Sequence, residues 1–122
     1  MSRDALISIV PKEIMTRTAW HGGEIVFSYP DVLQIVRLAM TAQIAVLGVE
    51  TFEIVKDGLQ VGNFSGYEVS FEEDWKQFVD RNNLLALEFI EQHRLGEDHG
   101  YILTSTYLEE YRQVIEQKRA MS

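Results

Sequence analysis

The side chains best suited to chemistry in this 122-residue chain are three histidines and nineteen carboxylates, because cysteine is absent and with it any thiolate nucleophile, thiolate zinc ligand or disulfide. His93 and His99 flank Glu97 and Asp98, a composition that suits a metal. Helical histidine pairs that grip zinc stand one turn apart on a shared face, with a third ligand elsewhere. Gly96 interrupts this pair, so the sequence reads them as a helix-end histidine and a loop histidine, and no metal site is expected. His21-Gly22-Gly23-Glu24 has the outline of an oxyanion loop, but a hydrolase also needs a nucleophile elbow of the form G-x-S-x-G. The nearest serine, Ser65 in Asn63-Phe64-Ser65-Gly66-Tyr67, lacks the first glycine. Both segments read as turns. Glu50 with Glu53, and Glu68 with Glu72, are spaced as acid/base pairs could be. Such pairs arise freely among so many acids, and they read more simply as solvated positions. No phosphate-binding loop is present. The expectation is a chain that is not an enzyme and carries no cofactor.

Charge is the more informative property. Eleven basic residues against nineteen acidic ones leave a net charge of −8. Binding to nucleic acid depends on Lys and Arg displacing counterions from phosphates, and here the basic residues are scattered, so no direct nucleic-acid binding is expected. The imbalance is concentrated: residues 67–122 hold twelve acidic and six basic side chains, whereas residues 1–66 hold seven and five. Glu68, Glu72, Glu73 and Asp74 all precede the first cation of that half. Acidic side chains favour a helix N-terminus, and the same turn can serve as a docking face for a basic partner. No apolar run is long enough to span a bilayer and no secretory signal is visible, so a cytoplasmic location without membrane contact is expected.

The elements that must position these groups can be read in order. Ala5 to Val10 suggests a short strand or apolar lead-in ended by Pro11. Glu24 to Tyr29 suits a strand or an aromatic-rich loop after the Gly22-Gly23 turn. Pro30-Asp31 opens a helix over 31–43, whose apolar positions Val32, Leu33, Val36, Ala39 and Met40 recur at helical spacing. Gly48 is a candidate helix stop. Thr51 to Val55 and Leu59 to Val61 form a hairpin around Asp57-Gly58. A turn over 62–66 leads to a third strand at Tyr67–Phe71. Ser70-Phe71-Glu72-Glu73 is a capping box that opens the next helix, with Trp75, Phe78, Val79, Leu85, Ala86, Phe89 and Ile90 as its core stripe and Gly96 as its stop. Tyr101–Thr104 reads as a strand, and Thr106-Tyr107-Leu108-Glu109 caps a final helix from Tyr107. Phe27 and Trp75 are assigned to the core, while Trp20 and Tyr29 suit core or interface equally. The expected fold is α+β: one domain over residues 1–122, with a small antiparallel meander of three to five strands packed on about three helices.

The stretch from Asp31 to Phe71 carries a resemblance. An apolar helix, Val46-Leu47-Gly48-Val49-Glu50, a hairpin and then Ser65-Gly66-Tyr67-Glu68 are similar to small bacterial immunity proteins of polymorphic-toxin and contact-dependent inhibition systems. The resemblance covers about a third of the chain. It implies a single-domain, cytoplasmic toxin inhibitor that acts by protein–protein interaction and has no catalytic residue. The implied partner is a cognate basic protein toxin, a nuclease being the natural case, because a protein that grips phosphate is cationic there. Glu50, Glu53, Asp57, Glu68, Glu72 and Asp74 are the candidate partner-binding residues, chosen from charge asymmetry and strand alternation. Two other classes fit the same sequence. One is a small enzyme or ligand-binding domain with a cleft between helix 31–43 and the sheet, lined by His21, Glu24 and Tyr67. The other is a homo-oligomeric adaptor or structural subunit. Monomer and homodimer are both compatible with the sequence.

Overall fold

The computed structural model describes residues 3–21, 23–55, 58–65, 74–96 and 98–121. In chain order they form α1 (Arg3–Ile7), α2 (Lys12–Met15), β1 (Ala19–His21), β2 (Glu24–Val26), α3 (Asp31–Thr41), β3 (Ala45–Val55), β4 (Gly58–Ser65), α4 (Trp75–Gln92), β5 (His99–Thr106) and α5 (Leu108–Met121). The class is α+β, as expected. Two antiparallel sheets are present: β1 pairs with β2, and a three-stranded sheet runs in the order β4-β3-β5. The chain therefore does not continue as a simple meander, because β5 returns after α4 to the free side of β3.

Residues 5–10 contain no strand, contrary to the alternating Ile-Ser-Ile-Val pattern. Ala5–Ile7 belong to α1, and the following turn is closed by Ile9 and Val10 N–H groups donating to Leu6 and Ile7 carbonyls. Leu6 is 1% exposed. An apolar stretch this short has no periodicity that separates one helical turn from a strand.

Helix α3 begins where Pro30 and Asp31 place it and ends at Thr41, short of the expected 43. Gly48 plays no part in stopping it. The stop is a Schellman arrangement: Ile44 N–H donates to Ala39 O at 2.8 Å and Gln43 N–H to Met40 O at 3.2 Å, with Gln43 in the left-handed region at φ 60°. Glycine is the usual occupant of that position. Gln43 adds a side-chain bond of 3.0 Å from Nε2 to Met40 O. Gly48 instead lies inside β3, beside a bulge where the pairing with β5 shifts between Val46 and Gly48.

Strands β3 and β4 pair antiparallel as the expected hairpin requires, with Val55 opposite Gly58 at φ 145°, while Asp57 of the turn lies outside the described residues. The expected turn over 62–66 is corrected: β4 runs on to Ser65, and the irregular pairing opposite Glu50–Phe52 absorbs the extra residues of this glycine- and asparagine-bearing segment. The expected strand at Tyr67–Phe71 and the capping box at Ser70–Glu73 lie outside the described residues. The N-cap observed for α4 is Asp74, whose carboxylate accepts from Gln77 N–H at 3.0 Å. The C-cap of α4 is His93 rather than Gly96. β5 is longer than Tyr101–Thr104, and α5 starts at Leu108, one residue from expectation.

Two apolar clusters hold these elements together. The larger joins Leu6, Ile14, Phe27, the buried face of α3 (Val32, Ile35, Val36, Ala39), Val46 and Val49 of β3, Ala86 and Ile90 of α4, and Tyr101 and Leu103 of β5. The smaller joins Ala45, Phe78, Val79 and Tyr111, with Trp75, Met40, Leu47 and Ile115 packed against it. Trp75 stacks on Phe78 and Tyr111 packs tilted against both, the Phe78–Tyr111 centroids being 4.3 Å apart. Phe27 also pairs through its backbone with Tyr101, joining the segment after β2 to β5.

Candidate functional site

The six carboxylates chosen from the sequence separate in the structure. Glu50 and Glu53 both sit on β3, where side chains alternate between faces. The register with β5 runs without interruption from Glu50↔Ile102 to Glu53↔His99, so the two glutamates point to opposite faces. Glu50 is exposed and shares its face with Phe52, Ile54 and Ile102; Glu53 shares the other face with Val49 and Thr51, which are buried. A flat partner therefore touches one glutamate or the other. Asp74 is exposed at the N-cap of α4. Asp57, Glu68 and Glu72 lie outside the described residues.

His93 and His99 make contacts within the fold, and the side chain of His21 lies outside the described residues. His93 closes α4: its N–H donates to Phe89 and Ile90 carbonyls, its ring centroid lies 4.7 Å from that of Phe89, and its carbonyl accepts the Tyr101 hydroxyl at 2.8 Å. His99 stands in β5 with Nδ1 2.9 Å from Asp98 Oδ1. Among the described residues no group of three His, Cys, Asp or Glu side chains is placed to share a metal ion. The interface between α3 and β3, where a cleft was conceivable, is filled by Ile35, Val36, Ala39, Ile44, Val46 and Val49, all 5% exposed or less. Tyr67, one candidate lining residue of that cleft, lies outside the described residues.

Three buried polar groups tie elements together. Asn83, fully buried on α4, accepts from Val46 N–H at 2.8 Å and donates to Ile44 O at 3.0 Å and Val36 O at 3.4 Å. Its amide thereby clamps α4 to the end of α3 and the start of β3. Asp31 takes a two-pronged bond from Arg17, Nε to Oδ2 at 2.7 Å and Nη2 to Oδ1 at 2.8 Å, and a third from the Ser28 hydroxyl. These bonds hold the Asp31 carboxyl below the usual carboxylate range, hydrogen bonding to Arg17 outweighing the opposing effect of burial. The Tyr101 hydroxyl accepts from Leu95 N–H, and burial pushes its pKa up. Among the described residues no buried side-chain nitrogen or oxygen lacks a partner. These groups use their hydrogen-bonding capacity inside the fold.

Two recesses lie at the surface of the described residues. On the solvent side of α4, Leu84 is 53% exposed and, with Gln77, Asp80 and Arg81, lines a shallow recess of about 330 Å³. Glu88 and Glu91 continue that side of the helix and are exposed. The sequence reading passed over Leu84 because Leu85 and Ala86 beside it satisfy the core stripe. Helical phase supplies the missing signal: at about 100° per residue, 77, 80, 84, 88 and 91 fall opposite the buried positions. A second concavity of about 450 Å³ lies between the first turn of α4 and α5, lined by Trp75, Leu108, Tyr111, Ile115 and charged residues at its rim. Of the aromatics, Phe27 is fully buried, Trp75 half-buried, Trp20 50% exposed, and Tyr29 half-buried under Arg94, with its hydroxyl on Glu91. No family model, curated protein or solved structure matches this chain. No helix among the described residues is long and apolar enough to cross a membrane.

Proposed function

We propose that this chain is an immunity protein: a non-catalytic inhibitor that binds a cognate basic toxin through exposed carboxylates. The observation that carries the reading is the state of its acids. The net charge is −8, and the exposed carboxylates of Glu24, Glu50, Glu88 and Glu116 enter no ion pair among the described residues. Carboxylates engaged inside the fold, such as Asp31, are already neutralised and offer little to a partner. Unpaired ones at the surface project their field into solvent, where they draw in a cation and orient it before contact. A toxin that grips nucleic acid carries such a cationic surface, and carboxylates laid over it occupy the place of phosphates.

Glu50 and Asp74 are the docking residues assigned here from the original six, and they bracket the stretch that holds Asp57, Glu68 and Glu72. Glu53 faces away from Glu50, on the side of buried Val49 and Thr51, and is left out of this docking surface. The test is protection. The reading predicts a toxin reading frame beside this gene, and cells that express its product should survive when the chain is co-expressed. Glu50→Lys combined with Asp74→Lys should reduce that protection while the far-ultraviolet spectrum of the protein is unchanged. Equal killing with and without the wild-type chain would refute the reading.

A further inference from the structure

We propose that the groove between the start of α4 and α5 seats a second copy of this chain, with the two α5 helices antiparallel about a twofold axis. The inference rests on a different observation from the toxin-binding reading, although the two share Asp74, which a second copy seated in this groove would cover. Helix α5 spans 14 residues, yet Tyr111 is its one buried side chain among those described, with Leu108 and Ile115 half-buried. The concavity of about 450 Å³ beside it has an apolar floor of Trp75, Tyr111, Leu108 and Ile115. A contact of this kind gains most of its free energy from an aromatic and aliphatic centre that excludes water.

The rim decides the occupant. It carries both signs, with Arg112 and Arg119 on one side of the account and Asp74 and Glu116 on the other. A strongly basic partner would meet the arginines, and a phosphate chain would meet the carboxylates. A surface that holds both signs suits a copy of itself, because a twofold interface brings the same patch together from both sides. The spacing along α5 allows it. In two antiparallel helices related by a twofold at the level of Val114, residue 112 of one copy lies opposite residue 116 of the other. Arg112 and Glu116 then pair twice across the axis. Little competes for these groups within one copy: Arg112 meets Glu109 at 3.5 Å with both side chains more than 60% exposed, and Glu116 has no ion pair among the described residues.

Sedimentation velocity of the purified chain across a micromolar concentration series tests the proposal. The expected result is a shift from monomer to dimer with rising concentration. Arg112→Glu and Glu116→Arg should each raise the dissociation constant about tenfold or more, since each places two like-charged pairs across the axis. An equimolar mixture of the two variants should regain dimer, as should the double swap R112E/E116R. Val114→Asp, about 200° around the helix from Arg112, should leave association unchanged. A monomer at every concentration overturns the proposal. So does a dimer that ignores the single reversals, or a mixture that fails to recover, or loss of the dimer in V114D.

Discussion

Replacing Asn83 by alanine tests the joint on which the fold depends. The side chain is 0% exposed and serves Val46 N–H at 2.8 Å and Ile44 O at 3.0 Å. Its contact with Val36 O is longer, at 3.4 Å, and that carbonyl lies within α3, so little is lost there. Each buried backbone group left without its partner costs about 1–3 kcal/mol. Two such groups and a small cavity bring the expected loss to roughly 3–4 kcal/mol, a large share of the 5–15 kcal/mol that holds a typical domain folded. With a urea slope of about 1.5–2 kcal/mol/M, the unfolding midpoint should fall by about 2 M. Asn83→Asp separates hydrogen bonding from packing. Its carboxylate can still accept from Val46 N–H, but it faces the Ile44 carbonyl without a proton to donate. Protonation restores the donor, so the Asp variant should be strongly destabilised at neutral pH and regain stability relative to wild type as the solution is acidified. Urea titrations followed by circular dichroism at two pH values provide both readings. A loss under about 1 kcal/mol for the alanine variant, or a loss for the aspartate variant that does not change with pH, would refute the clamp.

Gln43→Gly should stabilise the chain by about 0.5–1 kcal/mol, since the left-handed backbone at φ 60° costs a residue with a Cβ and the lost Nε2 bond is partly exposed; a thermal midpoint that falls would contradict the Schellman reading. Gly100→Ala should destabilise by about 1–3 kcal/mol because the added methyl overlaps Val26 Cγ1, and trimming Val26 to alanine in the same chain should reduce the penalty; additive losses in the double variant would count against it. Asp31 has its pKa lowered by Arg17, so its contribution is present above the unfolded value of about 3.9 and disappears as pH falls through the folded value. Asp31→Asn should therefore lose stability at neutral pH and show a flatter acid limb than wild type, a comparison that denaturant midpoints across the acid range can make; parallel acid limbs would argue against it.

The elements with a strong local signal were legible. Proline and aspartate marked the start of α3, Asp57-Gly58 placed the hairpin, and the apolar stripe of α4 was correct at Phe78, Val79, Ala86 and Ile90. The errors came where two local readings compete. Ile7-Ser8-Ile9-Val10 alternates like a strand, yet burial of Leu6 and Ile14 against Phe27 and the core favours two short helical turns. Val46-Leu47-Gly48-Val49 is apolar throughout, so nothing local distinguishes a helix ending at glycine from a central strand with a bulge. The deciding contacts are distant: β5 lies on one side of this segment, and Asn83 reaches it from α4. The candidate surface was legible in charge but not in direction. Glu50 and Glu53 could be assigned to opposite faces only once β3 was known to run unbroken through both. Leu84 was hidden by its apolar neighbours, and the groove beside α5 depends on how that helix meets Trp75.

The proposed function requires a toxin reading frame beside this gene, and the association rate between its product and this chain, measured by stopped-flow fluorescence as a function of salt, tests the central claim most directly. Carboxylate-steered docking predicts a rate that falls steeply as the Debye length shortens from about 30 Å at 0.01 M salt to about 8 Å at 0.15 M. Glu50→Lys and Asp74→Lys should each slow it several-fold at low salt and little at high salt. A rate that is flat in salt, or unaffected by both reversals, would contradict the account.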